Sequence, residues 1–289
     1  MYFRPPHCPN PACACHVAPP PDFFINRGSY TTKHDRQKVP RYRCKTCRKT
    51  FSSRRFSATA GQHKPAVNAP LAKLLSSSVT QRRCGQLLGI AKLTVARKFA
   101  FLARLARKAH ADFLASGQIK SSYVQFDEME TFVATKLKPL SIALAVRART
   151  GQIIGARVAA MNCHGRMAGV SQHFYGLRKD TRERACTNLL KVVNAVAKKQ
   201  ITVATDGKVA YGPLIKKVVP QATHKVVVGG RKKVRGAPDP LFRLNHTCAK
   251  IRADLSRMAR RTWATTKRLW ALQYHLDLYI AFNNGYELG

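Results

Sequence analysis

Acid is what this chain lacks. Only 13 of its 289 residues are Asp or Glu, against 52 Lys and Arg, and residues 1–120 hold no acids but Asp22, Asp35 and Asp112. A formal net charge of +39 implies a polyanionic partner. Double-stranded DNA is the first expectation, because each phosphate neutralised by Lys or Arg releases condensed counterions. An RNA-binding role is the blander alternative. Long apolar runs are missing as well: nothing approaches the ~20 residues of a membrane-spanning helix. Met1 to Pro11 also lacks the apolar core of a secretory signal. We therefore expect no membrane role and a cytoplasmic location beside the nucleoid. Hydrophobic residues are not scarce: at 45% they fit a folded protein, so the charge does not signal disorder. The length suffices for two or three units, one of them a core of about 150 residues.

Nine cysteines form an odd set in a chain of this size, which favours thiols and metal over disulfides. Cys8 and Cys13 form one close pair, and Cys44 and Cys47 a second. Four thiolates in two knuckles suit tetrahedral zinc, since a short spacer lets both sulfurs of a pair reach one ion. Cys15, His7 and His16 are rival ligands beside the first knuckle. Arg41-Tyr42-Arg43 reads as a strand leading into the second knuckle, and Phe51 can cover the site. The expected first domain is a zinc ribbon over 1–56. The basic residues around its second knuckle could grip phosphate.

Residues 57–118 read as a linker followed by a helix-turn-helix. Gln81 to Leu88 and Lys92 to Lys108 are helical in pattern, with a break at Gly89. Gly85 permits close helix contact, Gly89 takes the turn, and Leu88, Ile90 and Val95 fill a small core. The second helix would then present Arg97 and Lys98 to DNA. An ordinary basic helical hairpin is the alternative.

From residue 119 to 289 the pattern is strands, then a helix, a strand and more helices. Tyr123–Phe132, Leu140–Arg147 and Ile153–Ala160 read as strands, Thr181–Lys199 as a helix, and Ile201–Thr205 as the next strand. His224–Val228, a basic loop at Gly229–Arg235 and helix from about Leu241 to the end complete the domain. This is the order of an RNase H-like α/β fold, in which the first strand lies beside the fourth. Asp127 sits inside the first of these apolar runs and Asp206 closes the fourth. A carboxylate so placed is costly unless a cation or hydrogen bonds compensate it. The two Asp residues are thus candidates to share Mg²⁺ or Mn²⁺, whose paired ions can drive phosphodiester chemistry. Glu128 should point to the opposite sheet face by strand alternation and is not expected to be a ligand.

Several segments together carry a family resemblance: Arg41–Ser52, Phe126-Asp127-Glu128-Met129, Ala204-Thr205-Asp206-Gly207 with Tyr211, and Leu244–Lys267. The chain resembles bacterial insertion-sequence transposases of the DDE class, in the group with an N-terminal zinc ribbon. That resemblance implies binding to the ends of a mobile element, metal-dependent strand cleavage, and strand transfer into target DNA by a homo-oligomer. It also implies a third metal ligand on a later helix, where the family places Glu. Here the aligned position holds Asn245, a residue some related transposases carry, whose amide oxygen can ligate a hard cation. Arg252, two helical turns on, falls where the family has a basic residue that can hold a phosphate.

Rivals remain open. Asn245 could be a helix cap, and Asp239 or Asp254 could be the third ligand. Arg260 and Arg261, with Arg252, Arg257, Lys267 and Arg268, form a tract suited to a DNA strand. Trp263 and Trp270 read as packing residues on one helix. A non-catalytic zinc-ribbon DNA-binding protein, derived from a decayed transposase, is the competing function.

Overall fold

The computed structural model describes residues 3–33, 36–228, 239–260 and 262–286. The expected basic loop Gly229–Arg235 and Arg261 therefore lie outside the described residues. The chain forms two compact units that meet in sequence at Asn68 and Ala69.

In the first unit, β1 (Phe24–Thr31), β2 (Lys38–Cys44) and β3 (Thr50–Ser52) form an antiparallel sheet in chain order. A short helix, α1 (Ala14–Val17), precedes them. The tight turn from β2 to β3 carries Cys47 and puts Arg48 in the left-handed region at φ 57°. Its apolar centre is small: Phe23, Tyr42 and Phe51 pack with four of the cysteines and Cys15. Few apolar residues are available here, so a metal clip is the expected source of additional stability.

The second unit begins with α2 (Asn68–Leu75), α3 (Gln81–Leu87) and α4 (Lys92–Ala115). Thr80 caps α3 by accepting from the backbone N–H of Arg83. Gly89 makes the turn at φ 60°, and a Cβ on Gly85 would meet the Ile90 carbonyl oxygen at 2.9 Å. Both glycines expected to shape this hairpin thus do so for steric reasons. The helices share a unit with the sheet that follows, where the sequence suggested a border near 118. The reason is the length of α4. Its second half docks on α9 (Leu269–Asn283), where Arg107 pairs with buried Asp277 at 2.6 Å. Phe99 meets His275 edge-on, and His275 Nε2 bonds the Leu75 carbonyl at 2.8 Å.

Among the described residues, five strands make the second sheet, in the order β6-β5-β4-β7-β8. β4 (Ser121–Val133), β5 (Thr135–Arg147) and β6 (Ile153–Ala160) are antiparallel. β7 (Ala197–Thr205) runs parallel to β4, and β8 (Ala222–Val226) parallel to β7. Strand alternation divides the core into two layers. Val124, Phe126, Ala143 and Ala145 face α6 (Arg182–Ala195) and α7 (Tyr211–Val218). Met129, Ile142, Leu144 and Val146 face α8 (Phe242–Asp254) and α9.

Two expectations are corrected. A further helix, α5 (Ala168–Tyr175), lies between β6 and α6 in a stretch too short and mixed to announce itself. The C-terminal region is not one continuous helix: residues 255–260 and 262–268 leave the helical path, and Thr266 bridges to Val133 at the tip of the β4–β5 hairpin. Trp263 falls in that segment and is 84% exposed, so it is neither helical nor a packing residue.

Candidate metal centres

The first centre follows from the two knuckles. Cys8 and Cys13 belong to an N-terminal loop closed by the Cys8 N–H donating to the Cys15 carbonyl at 2.9 Å. Cys44 ends β2, and Cys47 sits in the turn before β3. The sulfurs of Cys8, Cys13, Cys44 and Cys47 all lie within 4.8 Å of one another. Cys8 and Cys47 are 3.6 Å apart, and Cys13 and Cys44 3.8 Å. A tetrahedral ion with metal–sulfur bonds of ~2.3 Å requires sulfurs about 3.8 Å apart. The four cysteines could therefore hold zinc.

The rival ligands have other partners. Cys15 Sγ meets Thr46 Oγ1 at 3.1 Å, His16 Nδ1 bonds the Cys8 carbonyl at 2.7 Å, and His7 packs edge-on against His16. Without a cation the thiols titrate apart. The Lys49 backbone N–H holds Cys47 down to about 7, while burial pushes Cys8 up to about 12.

The second centre arises where the middle of β4 runs beside the carboxyl end of β7. Gln125 pairs with Ala204 in parallel register, so two residues further on Asp127 and Asp206 come side by side. Asp127 Oδ1 accepts from the Glu128 N–H at 2.6 Å and from the Tyr211 hydroxyl at 3.1 Å. Asp206 Oδ1 accepts from the Lys208 N–H at 3.1 Å. No hydrogen bond among the described residues reaches Oδ2 of either carboxylate. Burial chiefly, with the Asp206 and Glu128 charges, raises Asp127 above the ordinary aspartate value despite two donors. A carboxyl so placed gains from a cation, and paired carboxylate oxygens are the donors a hard divalent ion takes. The acid pair fits such an ion.

Glu128 lies on the other side of the sheet, as alternation predicts. It lines a cavity of about 460 Å³ with Asp180, Arg182, Cys186, Lys208 and Tyr211. Lys208 Nζ and Ser141 Oγ both donate to it, the latter at 2.6 Å. Burial alone would raise Glu128; its bonds to Lys208 and Ser141 outweigh that and hold it below the ordinary glutamate value. Sequence reasoning set Glu128 aside and did not weigh Lys208. The available signal was charge: a Lys two residues after one rare acid, and a Glu beside the other.

The third donor is less assembled. Asn245 lies inside the first turns of α8, exposed, and its Nδ2 donates to Asp239 Oδ2 at 2.7 Å. It is therefore not the cap of this helix. Asp239 lies in the turn before α8, its Oδ1 accepting from the Leu241 N–H at 3.0 Å, so both of its carboxylate oxygens are engaged. Asp254 sits at the far end of α8 and accepts from Tyr279 at 2.7 Å. Cys248, one turn after Asn245, is pushed up to about 11 by burial and feels both the Arg252 and the Asp127 charges. Asn245, Cys248 and Arg252 fall on one stripe of α8 by their spacing.

The candidate DNA contacts divide. Arg97 is exposed on α4 and Arg260 is exposed beyond α8. Lys98, expected to face DNA beside Arg97, is only 3% exposed, because it falls on the same turn as buried Val95, Phe99 and Leu102. Burial lowers its pKa. Arg257 is also turned inward, over the Phe99 ring at 5.8 Å, and burial lowers it to about 10. No described helix is long and apolar enough to cross a membrane.

No protein-family model matches the sequence, and no curated protein does. Among solved structures, the crystal structure of the Mos1 strand transfer complex is similar over 76% of this chain and 72% of that one, at 12% identity and a TM-score of 0.30. At that score the likeness carries neither fold nor function across to this chain.

Proposed function

We propose that the chain is a transposase that binds the ends of an insertion sequence, hydrolyses the phosphodiester there and joins the freed 3′-hydroxyl to target DNA. The observation that carries this reading is the acid pair. In a chain with 13 acids, two meet on adjacent parallel strands, each held by one oxygen. The strand order, antiparallel across β6-β5-β4 and parallel across β4-β7-β8, is that of an RNase H-like domain and supports it. So does the net charge of +39, which suits duplex DNA as partner.

Asp127 and Asp206 would hold the divalent ions through the oxygens that the Glu128, Tyr211 and Lys208 donors leave uncommitted. When bound, such ions activate the attacking oxygen and stabilise the leaving one. Asn245, with its Nδ2 tied to Asp239, would offer its amide oxygen as the third donor. An amide brings no charge, so it holds a cation less strongly than a Glu would. Arg252, on the same stripe of α8, would hold a phosphate of the bound strand. Arg97 on α4 would read or grip the element end, with the zinc ribbon adding phosphate contacts.

Strand cleavage and joining on duplexes that carry the element's ends, measured with and without Mg²⁺, test this reading. Asp127→Asn and Asp206→Asn should each reduce both reactions to background while end binding persists, since neither lies on the DNA-binding helices. Full activity in both variants would end the reading.

A further inference from the structure

The acid pair is supported from behind by a small connected network that crosses the sheet. Tyr211, 2% exposed, rises from α7 against the Phe126 ring and places its hydroxyl 3.1 Å from both Asp127 Oδ1 and Glu128 Oε2. Glu128 cannot swing away, because Ser141 holds Oε1 at 2.6 Å and Lys208 Nζ holds Oε2. Lys208 also supplies the backbone N–H that fixes Asp206 Oδ1 at 3.1 Å. One residue therefore touches both halves of the centre, through its side chain on the Asp127 side and its main chain on the Asp206 side.

We propose that Glu128, Lys208 and Tyr211 are positioning residues for a divalent-cation site at Asp127 and Asp206, and that Glu128 is not itself a ligand. The proposal deepens the functional reading above and rests on it. A carboxylate bonded through one oxygen has its plane fixed, so its other oxygen is presented in one direction and loses less freedom when an ion arrives. Glu128 is spent on Lys208 and Ser141, across the sheet from Met129 and α8, and a cation there would have to displace Lys208. The network thus gives a physical role to an acid that stands beside the site and faces away from it. It also explains why a lysine follows Asp206 so closely in the chain.

The test is Mn²⁺ binding to the full-length protein, read from the electron paramagnetic resonance signal of free Mn²⁺, together with thermal melting and duplex-DNA affinity. Tyr211→Phe keeps the ring on Phe126, Glu128→Gln keeps the shape, and Lys208→Met keeps the backbone N–H. Each should weaken Mn²⁺ binding about ten- to a hundred-fold, the usual effect of removing an outer-shell partner, with melting and DNA affinity near wild type. Lys208→Arg should restore most of the loss, which a merely structural defect would not allow. Unchanged Mn²⁺ affinity in Tyr211→Phe and Lys208→Met would overturn the positioning role. Loss in Glu128→Gln as complete as in Asp127→Asn would overturn it differently, by making Glu128 a ligand. Wild-type Mn²⁺ affinity in Asp127→Asn would instead overturn the metal reading of the acid pair, and this proposal with it.

Discussion

In the first unit all four candidate donors lie within 4.8 Å of one another. In the second, two carboxylates meet across adjacent strands while the third candidate, Asn245, is held by Asp239 on the surface of α8. The difference matches two kinds of metal chemistry. Four thiolates fill a tetrahedron and leave no position for a substrate, so that centre can only hold the fold together. Two carboxylates, each with one oxygen that no donor among the described residues engages, leave most of a hard ion's positions open, and those positions can admit water and phosphate oxygens. A closed set is built from local loops, an open set from distant strands.

The comparison breaks most visibly if the first centre is emptied. Cys44→Ser should cost the zinc ion and unfold the first unit, because structural zinc contributes on the order of 10 kcal/mol to folding. The second unit should melt as before. Metal analysis of protein purified without chelators should find one zinc per chain, and finding none would remove the closed centre altogether.

Acid should affect the second unit through a buried base. His275 is lowered from 6.5 to about 3, by burial first and by the nearby Arg257 charge second. Above 6.5 neither folded nor unfolded chain binds this proton. Between 6.5 and about 3 the unfolded chain takes it up and the folded chain does not, so stability falls as pH falls. The loss should be roughly 1–2 kcal/mol for each pH unit below 6.5. His275→Gln should flatten that slope in the melting of the second unit; an unchanged slope would show that other groups govern it.

The open centre is sharpened at Asn245. If its amide oxygen serves the cation, Asn245→Ala should reduce Mg²⁺-dependent cleavage about ten- to a hundred-fold, and Asn245→Asp should retain activity at lower Mg²⁺. Asp239→Ala should cost about 1 kcal/mol of stability through its lost hydrogen bonds to Leu241 and Asn245, with a smaller effect on cleavage. A fully active Asn245→Ala enzyme beside an inactive Asp239→Ala would move the third role to Asp239. The smallest effects belong to the DNA-binding helices. Arg97→Ala should lower the preference for element ends over random duplex by about 1–3 kcal/mol if the helix reads bases. Lys98→Met should leave DNA affinity unchanged, since that side chain is buried.

The sequence made the closed centre legible because its ligands are paired within a few residues, and spacing alone brings two sulfurs to one ion. What spacing could not decide was which neighbours joined them; the hydrogen bonds of Cys15 and His16 answer that. Asp127 and Asp206 were legible because a carboxylate in an apolar run needs an explanation. The network behind them was not, since Lys208 and Glu128 look like ordinary charged residues until β4 and β7 are placed side by side. Lys98 was misread for a related reason. In a helix so basic, charge does not reveal which face turns inward, whereas the buried Val95, Phe99 and Leu102 do. The break after α8 was hidden because residues 255–268 carry four Arg together with Leu255, Met258, Ala259 and Ala264, which favour helix, and the bridge from Thr266 to Val133 overrides that preference.

Anomalous diffraction from crystals soaked in Mn²⁺ would test the central claim most directly. The account predicts a manganese peak about 2 Å from a carboxylate oxygen of both Asp127 and Asp206, alongside a zinc peak among Cys8, Cys13, Cys44 and Cys47 that serves as the internal control. A clear zinc peak with no manganese between the two aspartates, in crystals of the protein bound to a DNA end, would contradict it.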